Sequence, residues 1–483
     1  MHLGGIESLK TIVRDSAEPL YRQIYNRYRQ AIANGSLAPG ARVPSVRTLA
    51  SELQLSRNTV EVAYDLLIGE GYLLARGQAG TIVSPDIVPQ KVKNAMAQPS
   101  APISGATFYH APGEQSPKPF QLGLPALDLF PHKIWSSLTA KQLRLQSQYL
   151  SYPNPAGYQP LREAISAYLH ISRGLDCTSE QVFIAPGYRG VISLIGRTLL
   201  QPLDQLWLED PCFPPARYLL AELGAQIVPV PVDQDGLIVA QGRARAPHAR
   251  FALVTPAHQS PLGVTLSMER RLELLAWAEQ NNAWIIEDDY DSEYRYEGRP
   301  PPALASLDEA GNVLYVGTFS KVLSPALRLS YVVVPKTLIS RFNQTCGKMH
   351  DGCPLLLQGV TADFINGGYF SRHLKKMRHA YTQRRQIVIS SMREVLGERL
   401  QFSAPASGLN LLARLDANED DVKLAQQAKR QNMAVEALSA RCLDTPCGKG
   451  LLLGFANIAS SQQALTLATQ LKHSLETSGS IVE

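Results

Sequence analysis

The residues best suited to chemistry sit in short segments that follow apolar runs. Lys321 lies in VGTFSKVLSPALRLSYVVVP, between runs 314–316 and 329–334 that read as buried strands. A lysine there is costly unless it is paired, surface-directed or chemically used. The chemical use is a Schiff base with a carbonyl compound, which needs a lysine that can shed its proton in a partly desolvated pocket. Arg328 follows as a fork for an anion, and Ser320 places a hydroxyl beside the lysine. The run AWIIEDDY ends in Asp288, Asp289 and Tyr290, which offer a carboxylate and a phenol. In APGYRG a strand passes into a helix, so the N–H groups of Tyr188 and Arg189 face an anion. Phe213, after the strand in LEDPCFPP, can stack on a ring. Together these meet the demands of pyridoxal 5′-phosphate: an amine for its aldehyde, cations and N–H groups for its phosphate, a carboxylate for its ring nitrogen and a donor for its phenolic oxygen. Each residue also has a plainer reading, Asp288 as a cap, Phe213 as core and Arg328 as surface charge. Their occurrence in one alternating unit favours the chemistry.

That unit must supply the strand ends. From residue 120 onward, the runs QVFIAPG, DQLWLED, QIVPVPV, RFALVTPAH, AWIIEDD, VLYVGTF and LRLSYVVVP read as strands. Helices such as RGVISLIGRTLL and SMERRLELLAWAEQNN fall between several of them. Near-continuous apolar strands separated by helices predict an α/β unit with a mainly parallel sheet covered on both faces. From about residue 352 a long basic helix leads into a smaller part containing the strands LNLLARL and GLLLGFA.

The 483 residues, 45% apolar and 18% charged, describe a globular chain of two or three domains. A net charge of +5 neither demands nor excludes nucleic acid. No apolar run approaches the ~20 residues needed to cross a bilayer, so no membrane partner is expected. The six cysteines show no CxxC pair and no histidine at zinc spacing, and read as buried or free thiols of a reducing cytoplasm, with no metal.

Upstream, PLYRQIYNRYRQAIANG places Leu20, Ile24, Tyr28 and Ile32 on one helical face, and SVRTLASELQL and SRNTVEVAYDLLIGEGYL read as two further helices. YLLARGQAGTIVS reads as a hairpin turning at residues 77–80. Two helices across a tight turn, then a hairpin, match a winged helix-turn-helix. Arg57, Asn58 and Thr59 open the recognition helix, while Ser45 and Arg47 flank the helix before it. The plainer reading is a three-helix bundle for protein contacts.

The signatures PGxRxPSxRxLA, SRNTVxxAYxxLxxEGYL and GQAGT resemble the winged helix-turn-helix of GntR-type bacterial regulators. That resemblance implies that Arg47, Ser56, Arg57, Thr59 and Gly80 contact double-stranded DNA. EDDYDSEYRY, GTFSKVLSPALRLSY and YFSRHLKKMRHAYTQRR are similar to the MocR family, in which a GntR-type winged helix is joined to a fold type I aminotransferase-like domain. The resemblance implies a winged helix over 15–84, a Pro-rich linker over 85–118 and an aminotransferase-like unit over 119–483. It also implies that Lys321 forms the internal aldimine, Asp288 holds the pyridine nitrogen, Tyr290 the ring oxygen, Phe213 the ring face and Arg328 the phosphate. Tyr152 corresponds to a tyrosine that reaches the phosphate of a neighbouring subunit, so a domain-swapped homodimer is implied.

Two departures from the aminotransferase pattern stand out. Ser260, in HQSPLG, occupies the place of the asparagine of NPTG, and Leu452, in LLLGFA, that of the arginine that clamps a substrate carboxylate. Either Arg217, Arg372 or Arg441 replaces the clamp, or no α-amino acid binds in the usual way and the cofactor itself is the signal. The expected function is a cytoplasmic, nucleoid-associated bacterial regulator that senses the cofactor, an amine or an amino acid, in control of amino-acid, amine or vitamin B6 metabolism. The rival is an active aminotransferase with a secondary DNA-binding domain.

Overall fold

The computed structural model describes residues 12–14, 16, 18–87, 117–145, 151–296, 298, 301–349, 352–402 and 407–476. The chain divides into two compact units, residues 1–107 and 108–483. Most of the expected linker lies outside the described residues.

Among its described residues the first unit has three helices, α1 (Leu20–Ala33), α2 (Val46–Leu53) and α3 (Arg57–Gly69), followed by the strands β1 (Leu73–Ala75) and β2 (Thr81–Val83). Ile24, Tyr28 and Ile32 of α1 bury against Leu49 and Leu53 of α2 and Val60, Ala63, Tyr64 and Leu67 of α3. Ser45 caps α2 by accepting the Thr48 N–H at 3.1 Å, and Ser56 caps α3 by accepting that of Thr59 at 3.1 Å. Each such cap contributes about 1 kcal/mol. Gln54, left-handed at φ 54°, makes the sharp turn between the two helices. β1 and β2 pair antiparallel, Leu73 opposite Val83, across the Gly77–Ala79 turn.

The second unit opens with α4 (His132–Leu143) and α5 (Gln159–Arg173). There follow β3 (Val182–Pro186), α6 (Tyr188–Leu199), β4 (Gln205–Asp210), α7 (Pro214–Glu222), β5 (Gln226–Asp233), β6 (Gly236–Leu237) and α8 (Val239–Arg245). Next come β7 (Phe251–Val254), α9 (Met268–Asn281), β8 (Trp284–Asp289), β9 (Val313–Thr318) and β10 (Leu329–Val333). These eight strands form one sheet in the order β3-β10-β9-β8-β7-β4-β5-β6. β9, β8, β7, β4 and β5 run parallel, while β10 is antiparallel to both β3 and β9. Residues alternate between faces: Leu206, Leu208, Ile286 and Leu314 join one core with α6, and Trp207, Ile285 and Val313 join another with α9.

The chain continues through α10 (Ile339–Met349), α11 (Leu355–Asn366) and the 28-residue α12 (Tyr369–Leu396). The smaller part holds β11 (Gln401–Phe402), β12 (Asn410–Arg414), α13 (Asp421–Arg430), β13 (Glu436–Ala437), β14 (Gly450–Gly454) and α14 (Ser461–Glu476). Its four strands pair antiparallel in the order β11-β12-β14-β13.

Candidate functional site

The C-terminal ends of β4, β7, β8 and β9 face one crevice, the place where open parallel sheets leave room for a ligand. Lys321 follows β9 by three residues, and its Nζ donates to the Gly123 carbonyl at 2.8 Å. Gly123, at φ +70°, leaves the space that this nitrogen fills, because a β-carbon there would strike it. Burial pushes the Lys321 pKa down, the Asp291 and Asp288 carboxylates oppose that, and the Arg441 guanidinium adds to it. The lysine is thereby drawn toward the neutral state a nucleophile needs.

The paired acids at the end of β8 part company because successive strand residues point to opposite faces. Asp289 pairs with Arg173 at 2.8 Å and accepts the Tyr315 hydroxyl at 2.6 Å, in a buried ion pair that holds the fold. Asp288 faces the crevice, where its Oδ1 and the Tyr188 hydroxyl are both buried and neither has a hydrogen bond of good geometry, although the hydroxyl is close enough to act on the carboxyl. Burial lifts Asp288 to about 7; the Asp289 and Glu209 charges add to the rise, while the Tyr188 hydroxyl and Lys321 oppose it.

Across the crevice, Arg328 lies at a left-handed φ of 51° and donates from Nη2 to the Pro186 carbonyl at 3.1 Å. Its guanidinium covers Gly187, where a β-carbon would sit 2.9 Å from Arg328 Cζ. Gly187, at φ +77°, precedes α6, so the helix-start N–H groups of Tyr188 and Arg189 open beside an exposed cation. Helix start and guanidinium together make an anion cradle.

Phe213 is half-buried and meets the Tyr188 ring edge-on, centroids 5.9 Å apart. The Tyr290 hydroxyl donates to the His258 carbonyl at 2.9 Å and lies 3.0 Å from His258 Nδ1. Ser260 stands beside Tyr290 and lowers its pKa slightly against a larger rise from burial. Ser320 makes its hydrogen bond through its N–H, to Thr318 Oγ1 at 3.2 Å. Tyr152 is 85% exposed, so this chain does not fold it into its own site. Of the three candidate arginines, Arg441 acts on Lys321 and lies 5.9 Å over Phe213, whereas Arg217 covers Tyr218 and Arg372 covers Tyr369. Arg441 is ion-paired to Glu436. Leu452 is buried with Leu412 and Leu438, packed against Leu122 and Leu262.

The structure adds residues that sequence reasoning missed. Glu209, buried and raised to about 7 by that burial, accepts from Thr255 N at 3.0 Å. Asp210 accepts the N–H groups of Leu443, Asp444 and Thr445 at 2.7, 2.9 and 2.7 Å, which pins the loop after Arg441. His258 and Asp291 form a buried pair at 3.1 Å. Glu209 and Asp210 close β4, and His258 and Asp291 follow the ends of β7 and β8, which was the available signal. The cysteine expectation needs correction: Cys177, Cys212, Cys346 and Cys353 are free, but Cys442 and Cys447 are joined by a disulfide. The turn of CLDTPC brings their Cα atoms to 6.4 Å, which metal-spacing rules do not anticipate.

On the first unit, Ser45, Arg47, Ser56, Arg57 and Asn58 are exposed at the starts of α2 and α3, with Thr59 half-buried behind them. The Ser45 and Ser56 hydroxyls are engaged as caps. Gly80, at φ +89° in the wing, is covered by Arg42, whose Nη2 would lie 3.0 Å from a β-carbon there. Arg42 is thus a further cation beside the wing, absent from the expected contacts.

Residues 20–83 match the model of bacterial regulatory proteins of the gntR family, and residues 131–446 that of aminotransferase class I and II. The "Probable rhizopine catabolism regulatory protein MocR" of Rhizobium meliloti is 36% identical over 455 residues, covering 92% of each chain. The chain belongs to the MocR family of GntR-type regulators. Within that family it is also 31% identical to the "HTH-type pyridoxine biosynthesis transcriptional regulator PdxR" of Corynebacterium glutamicum, over 90% of this chain and 91% of that one. An archaeal alanine:glyoxylate aminotransferase superposes with a TM-score of 0.69 at 24% identity, covering 75% of this chain and 92% of that structure.

The large unit of this MocR-family chain is therefore an aminotransferase domain of the pyridoxal 5′-phosphate type, and the residues present fit that cofactor. The buried Asp288 carboxyl, short of a well-formed hydrogen bond, suits a pyridinium N–H, the Gly187–Arg328 cradle a phosphate, and Lys321 an aldehyde. When bound, the cofactor supplies an electrophilic carbon that condenses with primary amines. Among the described residues no metal-holding cluster occurs and no helix is long and apolar enough to cross a membrane.

Proposed function

We propose that this chain is a transcriptional regulator whose winged helix binds double-stranded DNA and whose large unit carries pyridoxal 5′-phosphate on Lys321. In that reading Asp288 holds the ring nitrogen, Tyr290 the ring oxygen, Phe213 and Tyr188 the ring, and Arg328 with the Tyr188 and Arg189 N–H groups the phosphate. The observation that carries it is the buried Asp288 carboxyl, with one oxygen lacking a hydrogen bond of good geometry, in the same crevice as a lysine whose proton burial destabilises. A polar group left so is expensive unless a ligand completes it. The winged helix spans 15–84, the linker 85–118 and the sensing unit 119–483, and the protein acts as a cytoplasmic homodimer in which the exposed Tyr152 serves the partner's site.

Relatives named for rhizopine catabolism and for pyridoxine biosynthesis support a signal that is either an amine or the cofactor itself. The Leu452 wall supports the same choice, because leucine cannot replace a bidentate carboxylate clamp. The test is the absorbance of the purified protein before and after borohydride, then with a panel of amines, against Lys321→Ala. A band near ~420 nm that reduction fixes to Lys321 is expected. An amine that shifts it once, without turnover, identifies the class of signal. Absence of the band in cofactor-supplemented wild type overturns the reading.

A further inference from the structure

His258 and Asp291 have no part in the cofactor contacts above, yet both are buried, at 5% and 1% side-chain exposure, against the two groups that matter most. His258 Nδ1 lies 3.1 Å from Asp291 Oδ1 and 3.0 Å from the Tyr290 hydroxyl. An ionised carboxylate only accepts, so Nδ1 carries the proton and donates. The Tyr290 oxygen takes a share of that N–H while its own O–H donates to the His258 carbonyl at 2.9 Å. The second Asp291 oxygen accepts the Leu409 N–H at 3.3 Å. The chain Asp291, His258, Tyr290 is closed at both ends. It is also sterically fixed, because Gly408, at φ +92°, presses its backbone against the imidazole where any β-carbon would collide. Asp291 is moreover the foremost of the carboxylates acting on the Lys321 nitrogen.

We propose that the His258–Asp291 pair is a positioning device for the Lys321 site, in which His258 holds in place both the Tyr290 hydroxyl and the Asp291 carboxyl. It orients Tyr290 from a wall where Ser260, one short hydroxyl, replaces a longer amide. The other groups facing this cluster are Asp288 on β8, Glu209 on β4, Glu293 two residues past Asp291, Arg441 from the smaller part, and Tyr296, over which Arg385 lies at 5.3 Å. An anion fixed near the nitrogen favours its protonated form, so losing that anion lowers the pH at which the nitrogen gives up its proton. Removing His258 acts in the same direction, since a buried carboxylate without its donor takes up a proton and loses its charge.

The inference rests on the reading that Lys321 carries the cofactor, and the experiment separates the two. The long-wavelength band of the full-length cofactor-loaded protein is titrated with pH for wild type, Asp291→Asn, His258→Phe and His258→Asn. Asparagine places an amide N–H near the Nδ1 position and serves as the rescuing variant. Expected are midpoints lowered by about one pH unit or more in Asp291→Asn and His258→Phe, as for loss of an adjacent charge, and a wild-type-like midpoint in His258→Asn. A role in folding alone would lower the yield or melting temperature and leave the midpoints together. Coincident midpoints for wild type and Asp291→Asn overturn the inference alone. A wild-type protein with no such band overturns the underlying reading and the inference with it.

Discussion

Replacing Asp288 by asparagine tests whether this carboxyl is kept for a ligand rather than for the fold. Burial raises it from an ordinary 3.8 to about 7, and the side chain sits in a residue only 6% exposed. At 1.36 kcal/mol per pH unit, that rise corresponds to roughly 4 kcal/mol as a ceiling. The sign follows from the folded chain binding the proton more tightly than the unfolded chain. Stability from this group is full below about pH 4 and is lost as pH rises toward 7. Asp288→Asn carries no such loss and can still offer an amide N–H to the Tyr188 hydroxyl. Cofactor-free Asp288→Asn should therefore match wild type near pH 3.5, exceed it by about 1.5 kcal/mol at pH 5 and by about 4 kcal/mol at pH 8.5, in denaturant unfolding of the large unit. Added pyridoxal 5′-phosphate should reverse the order at pH 8.5, because its ring N–H partners the wild-type carboxylate and not the amide. A variant no more stable than wild type at pH 8.5, or a difference that ignores pH, would refute the reasoning.

Gly187→Ala should weaken pyridoxal 5′-phosphate binding about 10- to 100-fold in a fluorescence titration, the worth of a charged hydrogen bond, by pushing the Arg328 guanidinium off the helix start. Arg57→Ala should weaken binding to an operator fragment by about tenfold and lower the salt slope by about one, read by anisotropy across salt. Leu452→Arg should destabilise the cofactor-loaded protein by about 3 kcal/mol in thermal melts, since it buries an unpaired charge, and an α-amino acid but not its decarboxylated amine should restore part of that loss.

The fold was legible because its signals are periodic. Three helices with apolar faces ending at Gly35 and Gln54, and strands such as Leu206–Leu208 that are apolar at every position, leave little else for the chain to build. Lys321, Tyr290 and Phe213 were legible because each lies just past a strand end, Asp288 because it sits in the last two residues of one and Arg328 because it directly precedes one, where the sheet exposes its crevice. Which of Asp288 and Asp289 faces that crevice was not, since it depends on the pleat and on Arg173, more than a hundred positions away in the chain. His258 and Asp291 were passed over because their meaning is mutual: neither spacing nor type marks a histidine 33 positions before its acid. The Cys442–Cys447 pairing likewise depends on how Asp210 folds the intervening loop.

The smaller part touches the crevice at two separated points, and this bears on how occupancy leaves the site. One is the backbone of Gly408 and Leu409, which leads into β12 and meets His258 and Asp291. The other is Arg441 and its loop, held by Asp210 and lying over Phe213, between β13 and β14. β12, β14 and β13 are neighbours in one small sheet, so the two points are rigidly joined through ladder hydrogen bonds. A ligand that moves Phe213 or draws Arg441 from Glu436 pulls on the same sheet that presses on the His258 imidazole. A ligand shifts an equilibrium only by its differential affinity for two arrangements. In the proposed function that difference would reside in the fit of the four-stranded sheet, among the described residues, against two walls of one crevice.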